Sequence, residues 1–180
     1  MKALTVTQPW ATLIALGEKH IETRSWLTRY RGEVAIHASK AFPQECKDLC
    51  DTPPFREVLR SHNLGVSDLP RGAILCVSSI KDCLRSERIA SASGSYSESA
   101  HELAFGNYTT GRYSFLLGFA MRLATPIYIR GSLGLWEWSA PDWESLPFAN
   151  GGIVKGPNTI IGEHCCDMGV MFPDMFRSKS

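Results

Sequence analysis

The sequence predicts an α+β domain in which short strands, with helices at the periphery, close into a mixed barrel. Three observations carry this expectation. Apolar alternation marks short runs at Ala3 to Thr7 and Val34 to Ala38, and Ala73 to Ser79 is a strongly apolar run of strand length. Helical spacing appears only in brief pieces bounded by Pro or Gly. The chain has 180 residues, 44% of them hydrophobic and 21% charged, which is ordinary globular usage and enough for a substantial core. We expect one compact domain over residues 1–143 and a C-terminal extension over 144–180.

In chain order, Ala3 to Thr7 alternates as a strand and leads into a helix that Pro9 opens and Gly17 ends. Trp10, Leu13 and Ile14 share one side of that helix, so Trp10 reads as a core anchor or as a group that stacks on a ligand. His20 to Trp26 follows as a strand, with His20, Glu22, Arg24 and Trp26 on one face and Ile21, Thr23 and Ser25 on the other. Neither face is ordinary core. A face bearing a carboxylate, a guanidinium and an indole suggests recognition or catalysis; the alternative is a structural Glu22 to Arg24 ion pair. Lys19 would stand at the lip of the cleft between helix and strand.

Tyr30-Arg31-Gly32 reads as a turn into Val34 to Ala38, where His37 lies opposite Val34 and Ile36 and becomes a candidate pocket residue. Ala41 to Asn63 is helical in two pieces, opened by Pro43 and broken by Pro53 and Pro54. Cys46 and Cys50 fall four apart on the first piece with His62 beyond, a spacing that lacks the paired knuckles of zinc sites. Leu69 to Gly72 is a turn, and the apolar strand after it, continuing toward Cys83, should be central. Ser86 to Gly106 reads as a Ser-rich loop leading to a short helix at Ala100 to Phe105. Glu98, His101 and Glu102 are acid-base candidates there by residue type, although surface charge on a short helix is the preferred reading. Tyr113 to Leu123 is expected as one long strand, with Ile127 to Ile129 and Leu133 to Trp138 closing the barrel.

The formal net charge is +1, which excludes a protein coated in basic residues. Phosphate binding would therefore be local. Lys19, Arg24, Arg29, Arg31 and Lys40 cluster around Trp26 and Tyr30, a mixture suited to single strands or flipped bases. Six cysteines follow no disulfide framework, and the apolar run after Met1 is interrupted at Gln8 and Pro9 before a signal peptide forms. We expect a cytoplasmic protein, or a nuclear one in a eukaryote, with no membrane association, no metal and no cofactor.

Q-P-W-A at Gln8 to Ala11, G-x-K-x-x-E-x-R-x-W from Gly17 to Trp26, Arg31-Gly32, Ile36-His37-Ala38, Arg71-Gly72-Ala73-Ile74 and G-S-L-G-L-W at Gly131 to Trp136 occur in an order that resembles the ASCH (activating signal cointegrator homology) domain. The resemblance covers about residues 3 to 139. It implies a PUA-like mixed β-barrel with peripheral helices and a cleft associated with nucleic acid or modified nucleosides. One branch of the family resembles amidohydrolases that remove an acyl group from a modified cytidine with a lysine, a threonine and a glutamate. Here Lys19 and Arg24 match that pattern, Glu22 occupies the threonine position, and a glutamate from the Glu98 to Glu102 region corresponds loosely.

Three functions follow as expectations. The first is binding of RNA, single-stranded DNA or a modified nucleoside through a basic-aromatic cleft formed by Arg24, Trp26, Tyr30, Arg31, His37, Gln8 and Trp10. The second is hydrolysis, of RNA or of an acylated cytidine, with Lys19 as base or electrostatic stabiliser and Glu22 handling protons. The third is a protein-interaction module of the transcription coactivator type.

Overall fold

The computed structural model describes residues 1–90, 100–140, 142, 145–149, 153–154 and 160–161. Seven strands form one sheet: β1 (Lys2–Val6), β2 (Ile21–Arg24), β3 (Gly32–Ala38), β4 (Ala73–Arg85), β5 (Tyr113–Leu117), β6 (Met121–Tyr128) and β7 (Leu135–Glu137). Their order is β2-β5-β4-β3-β1-β7, with β6 paired to β4. β1 and β3 are parallel; every other pairing is antiparallel. β4 is the longest strand and the hub, flanked by β3 on one side and by β6 and then β5 on the other. A second pair, β8 (Ile153–Val154) with β9 (Ile160–Ile161), stands outside this sheet.

The barrel expected from the sequence is not closed. β7 is three residues long and pairs only with Lys2 to Leu4 of β1, while β6, which was expected to close against it, pairs with β4. β2, only four residues long, ends the sheet at the other side. Strands this short cannot carry a ladder across the remaining gap. Two further expectations change. The Tyr113 to Leu123 run is two strands separated by residues 118–120; at Gly118 the backbone lies so close to β4 that a Cβ there would stand 2.4 Å from Ser79 Oγ and 2.8 Å from Lys81 Cε. The Glu22 strand also excludes both His20 and Trp26.

Both faces of the sheet are covered. Leu4, Val6, Val34, Ile36 and Leu75 pack on one face with Ala11, Ile14 and Ala15 of α1 (Trp10–Leu16), so the helix buries the side its spacing predicted. Gly17 ends α1 with φ +78, a left-handed conformation that favours glycine. Ala3, Ala35 and Ile74 pack on the other face with Leu123, Trp138 and Phe148. Phe148 reaches this face because residues 147–149 dock on β6, through Ala124 N to Pro147 O at 2.9 Å and Ala149 N to Arg122 O at 2.8 Å.

The prolines punctuate the next region as expected, giving α2 (Gln44–Cys50) and α3 (Phe55–Ser61). Phe55 and Val58 pack against Leu13 and Phe105, and Cys50 and Leu59 against Leu69. The thiol of Cys50 donates to the Cys46 carbonyl at 3.4 Å and is pushed up to about 11, chiefly by burial. His62 faces Glu18 at 2.8 Å instead of these thiols. No group of three metal-ligating side chains occurs among the described residues. Two further short helices follow β4, α4 (Glu87–Ala90) and α5 (Ala100–Ala104). No described helix is long and apolar enough to cross a membrane.

Candidate functional site

A cavity of about 240 Å³ opens between the end of β1, the N-terminus of α1, β2 and the chain that follows α5. Trp10, Lys19, Glu22, Arg24, Asn107 and Arg112 supply its polar and aromatic lining, with Val6, Thr7, Thr23, Phe105 and Gly106 completing the wall. It occupies the gap across which β2 would have to approach β1 to narrow the sheet's opening. β7 stops opposite Leu4, leaving the Thr5 carbonyl to accept from the Arg24 guanidinium, so one side chain bridges the interval.

Lys19 was expected at the lip of a cleft. It is instead buried, 2% exposed, and its ammonium meets Glu102 Oε1 at 3.2 Å and lies 5.9 Å from the Tyr108 ring centroid. Glu102 also accepts the backbone N–H groups of His20 at 2.7 Å and Ile21 at 3.2 Å and the Tyr108 hydroxyl at 3.2 Å. A buried charge of either sign is costly unless paired and hydrogen-bonded, and both conditions are met. Glu102 is therefore not surface charge on a short helix, as the sequence suggested. It is 3% exposed and is the group that fixes Lys19. His101 does face solvent, with its ring edge-on to Phe105, and Glu98 lies outside the described residues.

Glu22 and Arg24 follow on the same wall. Arg24 Nε stands 3.0 Å from Glu22 Oε1, near enough to attract but not aligned as a hydrogen bond, since that N–H is buried without a bonded acceptor. Both side chains line the cavity wall. Trp10 is both wall and support: its indole N–H donates to Phe105 O at 2.7 Å and its ring meets Phe55 edge-on with centroids 5.9 Å apart. Arg112 donates to Thr23 O at 3.0 Å and to Asn107 O at 3.1 Å, tying the far wall to β2. Arg112 and Asn107 were not singled out from sequence.

The other candidates lie away from the cavity. Gln8 is fully buried, its amide accepting Thr12 N at 3.1 Å and donating to Pro70 O at 2.6 Å, which clamps α1 to the turn before β4. Trp26 packs edge-on against Phe115, with centroids 5.0 Å apart. Tyr30 donates its hydroxyl to Glu33 O at 2.7 Å, and Arg31 meets Asp82 at 2.6 Å. His37 is buried against Trp136 and contacts Ile129 O at 3.0 Å through Nε2, and burial holds its imidazole below the usual value.

The sequence profile described as "ASCH domain" matches residues 4–115. Activating signal cointegrator 1 of Homo sapiens is 40% identical over 84 residues, and that of Mus musculus 38% identical over 84 residues. Each alignment takes in 45% of this chain but only 14% of the relative, so the chain spans about one-seventh of those proteins' length. Two crystal structures of mutant forms of ZmASCH from Zymomonas mobilis align over 71% of this chain, and over 74% and 73% of their own, at 15% identity and a TM-score of 0.39. So loose a superposition transfers no individual feature. The profile match takes in more than half of the chain, and with it the Q-P-W-A and G-x-K-x-x-E-x-R-x-W segments that build the cavity wall: this chain belongs to the ASCH domain family.

Proposed function

We propose that the cavity receives a nucleobase or a modified nucleoside, presented by RNA or single-stranded DNA or free in solution. The observation that carries this reading is the composition of one open-mouthed space. About 240 Å³ is lined by an indole, an amide, a carboxylate and three cationic side chains. An indole face suits a base, an amide and a carboxylate suit its donor and acceptor edge, and guanidinium groups suit phosphate or carbonyl oxygens. Arg24→Ala should weaken binding of a labelled single-stranded oligonucleotide about tenfold, read by fluorescence anisotropy under conditions where circular dichroism shows the domain still folded. Equal affinity of Arg24→Ala and the unsubstituted chain for oligonucleotides and free nucleosides alike would remove the reading.

A second reading, hydrolysis of an acylated cytidine, is favoured by one specific observation: Lys19 and Glu22 share the cavity wall, and Lys19 is fixed there by Glu102. Glu22 would take a proton from water as its oxygen attacks the acyl carbonyl, Lys19 would stabilise the oxyanion, and the C–N bond would break as the amine takes up the proton. Loss of turnover of acylated cytidine in both Lys19→Ala and Glu22→Gln, with folding intact, is the expected result. Turnover that survives Glu22→Gln would exclude Glu22 as the base.

A further inference from the structure

The ends of four strands lie side by side along one edge of the sheet, and the cavity opens at the first of them. Ser39 N donates to Val6 O at 2.8 Å, Gly72 N to Ala38 O at 2.8 Å and Ile129 N to Gly72 O at 3.0 Å. These bonds set the C-terminal ends of β1 and β3, the start of β4 and the end of β6 in a row. Neighbouring strands lie about 4.8 Å apart, so the row runs for roughly 15 Å from the cavity mouth. The turns along it carry Lys40, Arg71 and Arg130, all exposed, and Tyr128, 71% exposed. Gly72, at φ +67, makes the turn that sets Arg71 beside Lys40; a Cβ there would lie 3.6 Å from Lys40 Cβ.

We propose that this edge is a second binding surface: a track for the sugar-phosphate backbone of single-stranded nucleic acid whose base occupies the cavity. Its occupant is therefore a polynucleotide, not a free nucleoside, and this rests on the cavity reading above. None of the three cations makes an ion pair among the described residues, in contrast to Arg31 with Asp82 or Lys19 with Glu102. Asp68, the acidic residue nearest the Arg71 turn in sequence, has its carboxylate engaged with Gly65 N at 2.8 Å. In a chain of net charge +1, three cations in a row with no ion pair among the described residues form a local positive stripe. Single-strand sites combine such a stripe with an exposed ring on which a base stacks, the place Tyr128 fills. A duplex cannot lie along the edge and also place an unpaired base in the cavity without extruding it.

The test uses the full chain, a fluorescein-labelled 12-nucleotide single strand as RNA and as DNA, and free acylated cytidine as a probe of the cavity alone. Combined Lys40→Ser, Arg71→Ser and Arg130→Ser substitutions should weaken oligonucleotide binding and reduce the slope of log affinity against log salt by about 2, since each single-strand phosphate contact contributes roughly 0.7. Nucleoside binding should not change. Tyr128→Ala should weaken the oligonucleotide roughly tenfold. An unaltered affinity and salt slope in the triple variant overturns the track, and the cavity reading still stands if Arg24→Ala weakens binding. Insensitivity of the oligonucleotide to the triple variant and to Arg24→Ala overturns both. Binding to phosphatidylserine vesicles that the triple substitution abolishes, with oligonucleotide binding untouched, assigns the stripe to a lipid surface and overturns the nucleic acid.

Discussion

Two polar clusters flank the C-terminal half of β1, and they handle burial in opposite ways. On one side Lys19, Glu22 and Arg24 surround space; on the other His37, Thr5 and Trp136 surround none. Trp136 Nε1 donates to Thr5 Oγ1 at 3.1 Å, and Thr5 Oγ1 donates to Ser132 O at 2.8 Å. Gly131 seals the second cluster: a Cβ on it would stand 2.3 Å from His37 Cε1 and 2.9 Å from Thr5 Oγ1. His37 Nδ1 is buried there without a partner. Inward-facing polar residues on a strand therefore mark two different things. Only where neighbouring chain leaves a void does such a residue become available to a ligand; where a glycine lets backbone close in, it is packing.

The largest effect that would sharpen this contrast is at Glu102. Glu102→Ala removes the only carboxylate paired with the Lys19 ammonium among the described residues and leaves two backbone N–H groups without it. Breaking a buried pair from one side costs about 3–5 kcal/mol, so the urea midpoint should drop sharply. A loss under about 1 kcal/mol would mean that Lys19 is solvated and that the cavity wall is not preorganised.

On the sealed side, Gly131→Ala should cost about 1–3 kcal/mol by forcing a methyl against a buried ring, with oligonucleotide affinity per folded molecule unchanged. Weakened binding at full stability would reverse the comparison and make the His37 cluster part of a site. The smallest effect is in pH. Burial, opposed by the Ile129 hydrogen bond, holds the His37 imidazole below its ordinary value of about 6.5. The unfolded chain then takes up a proton before the folded one does, so this contribution is complete above about pH 6.5 and is lost as pH falls through the lower folded value. Urea midpoints should decline over that interval in the unsubstituted chain and less in His37→Gln. An equal decline in both would place the responsible group elsewhere.

What was legible in the sequence was what is local. Pro9, Gly17 and the spacing of Leu13 and Ile14 define α1, and the apolar run after Gly72 is indeed the central strand. Four polar lining residues, Trp10, Lys19, Glu22 and Arg24, fall within one short stretch, so alternation and the Q-P-W and G-x-K motifs find them together. Glu102, Arg112 and Asn107 come from the other half of the chain, and no period connects them to that stretch. One signal did exist for Glu102: it lies three residues before Phe105, a core residue, and so faces inward on any helical turn. Arg31 illustrates the converse. Its partner Asp82 is fixed only by the register that sets Gly32 against Ile80. Barrel closure was overestimated because the periodicity that reveals a strand says nothing of whether its ladder continues to a neighbour.

The bond between Lys19 and Glu102 spans 83 residues, and that separation has a temporal meaning during synthesis. At about 5–20 residues per second, roughly 4–17 s pass between the addition of the lysine and that of its carboxylate. Through that interval the emerging chain holds the lysine without the counter-charge that makes its burial tolerable, so the ammonium stays in water and the start of β2 has no acceptor for the His20 and Ile21 N–H groups. Strand β2 must wait in any case for β5, its one ladder partner among the described residues, which is translated later still. The first half of the chain can assemble α1 on β1 and β3 as soon as β4 appears, but the β2 wall of the cavity cannot set until both Glu102 and β5 have been made.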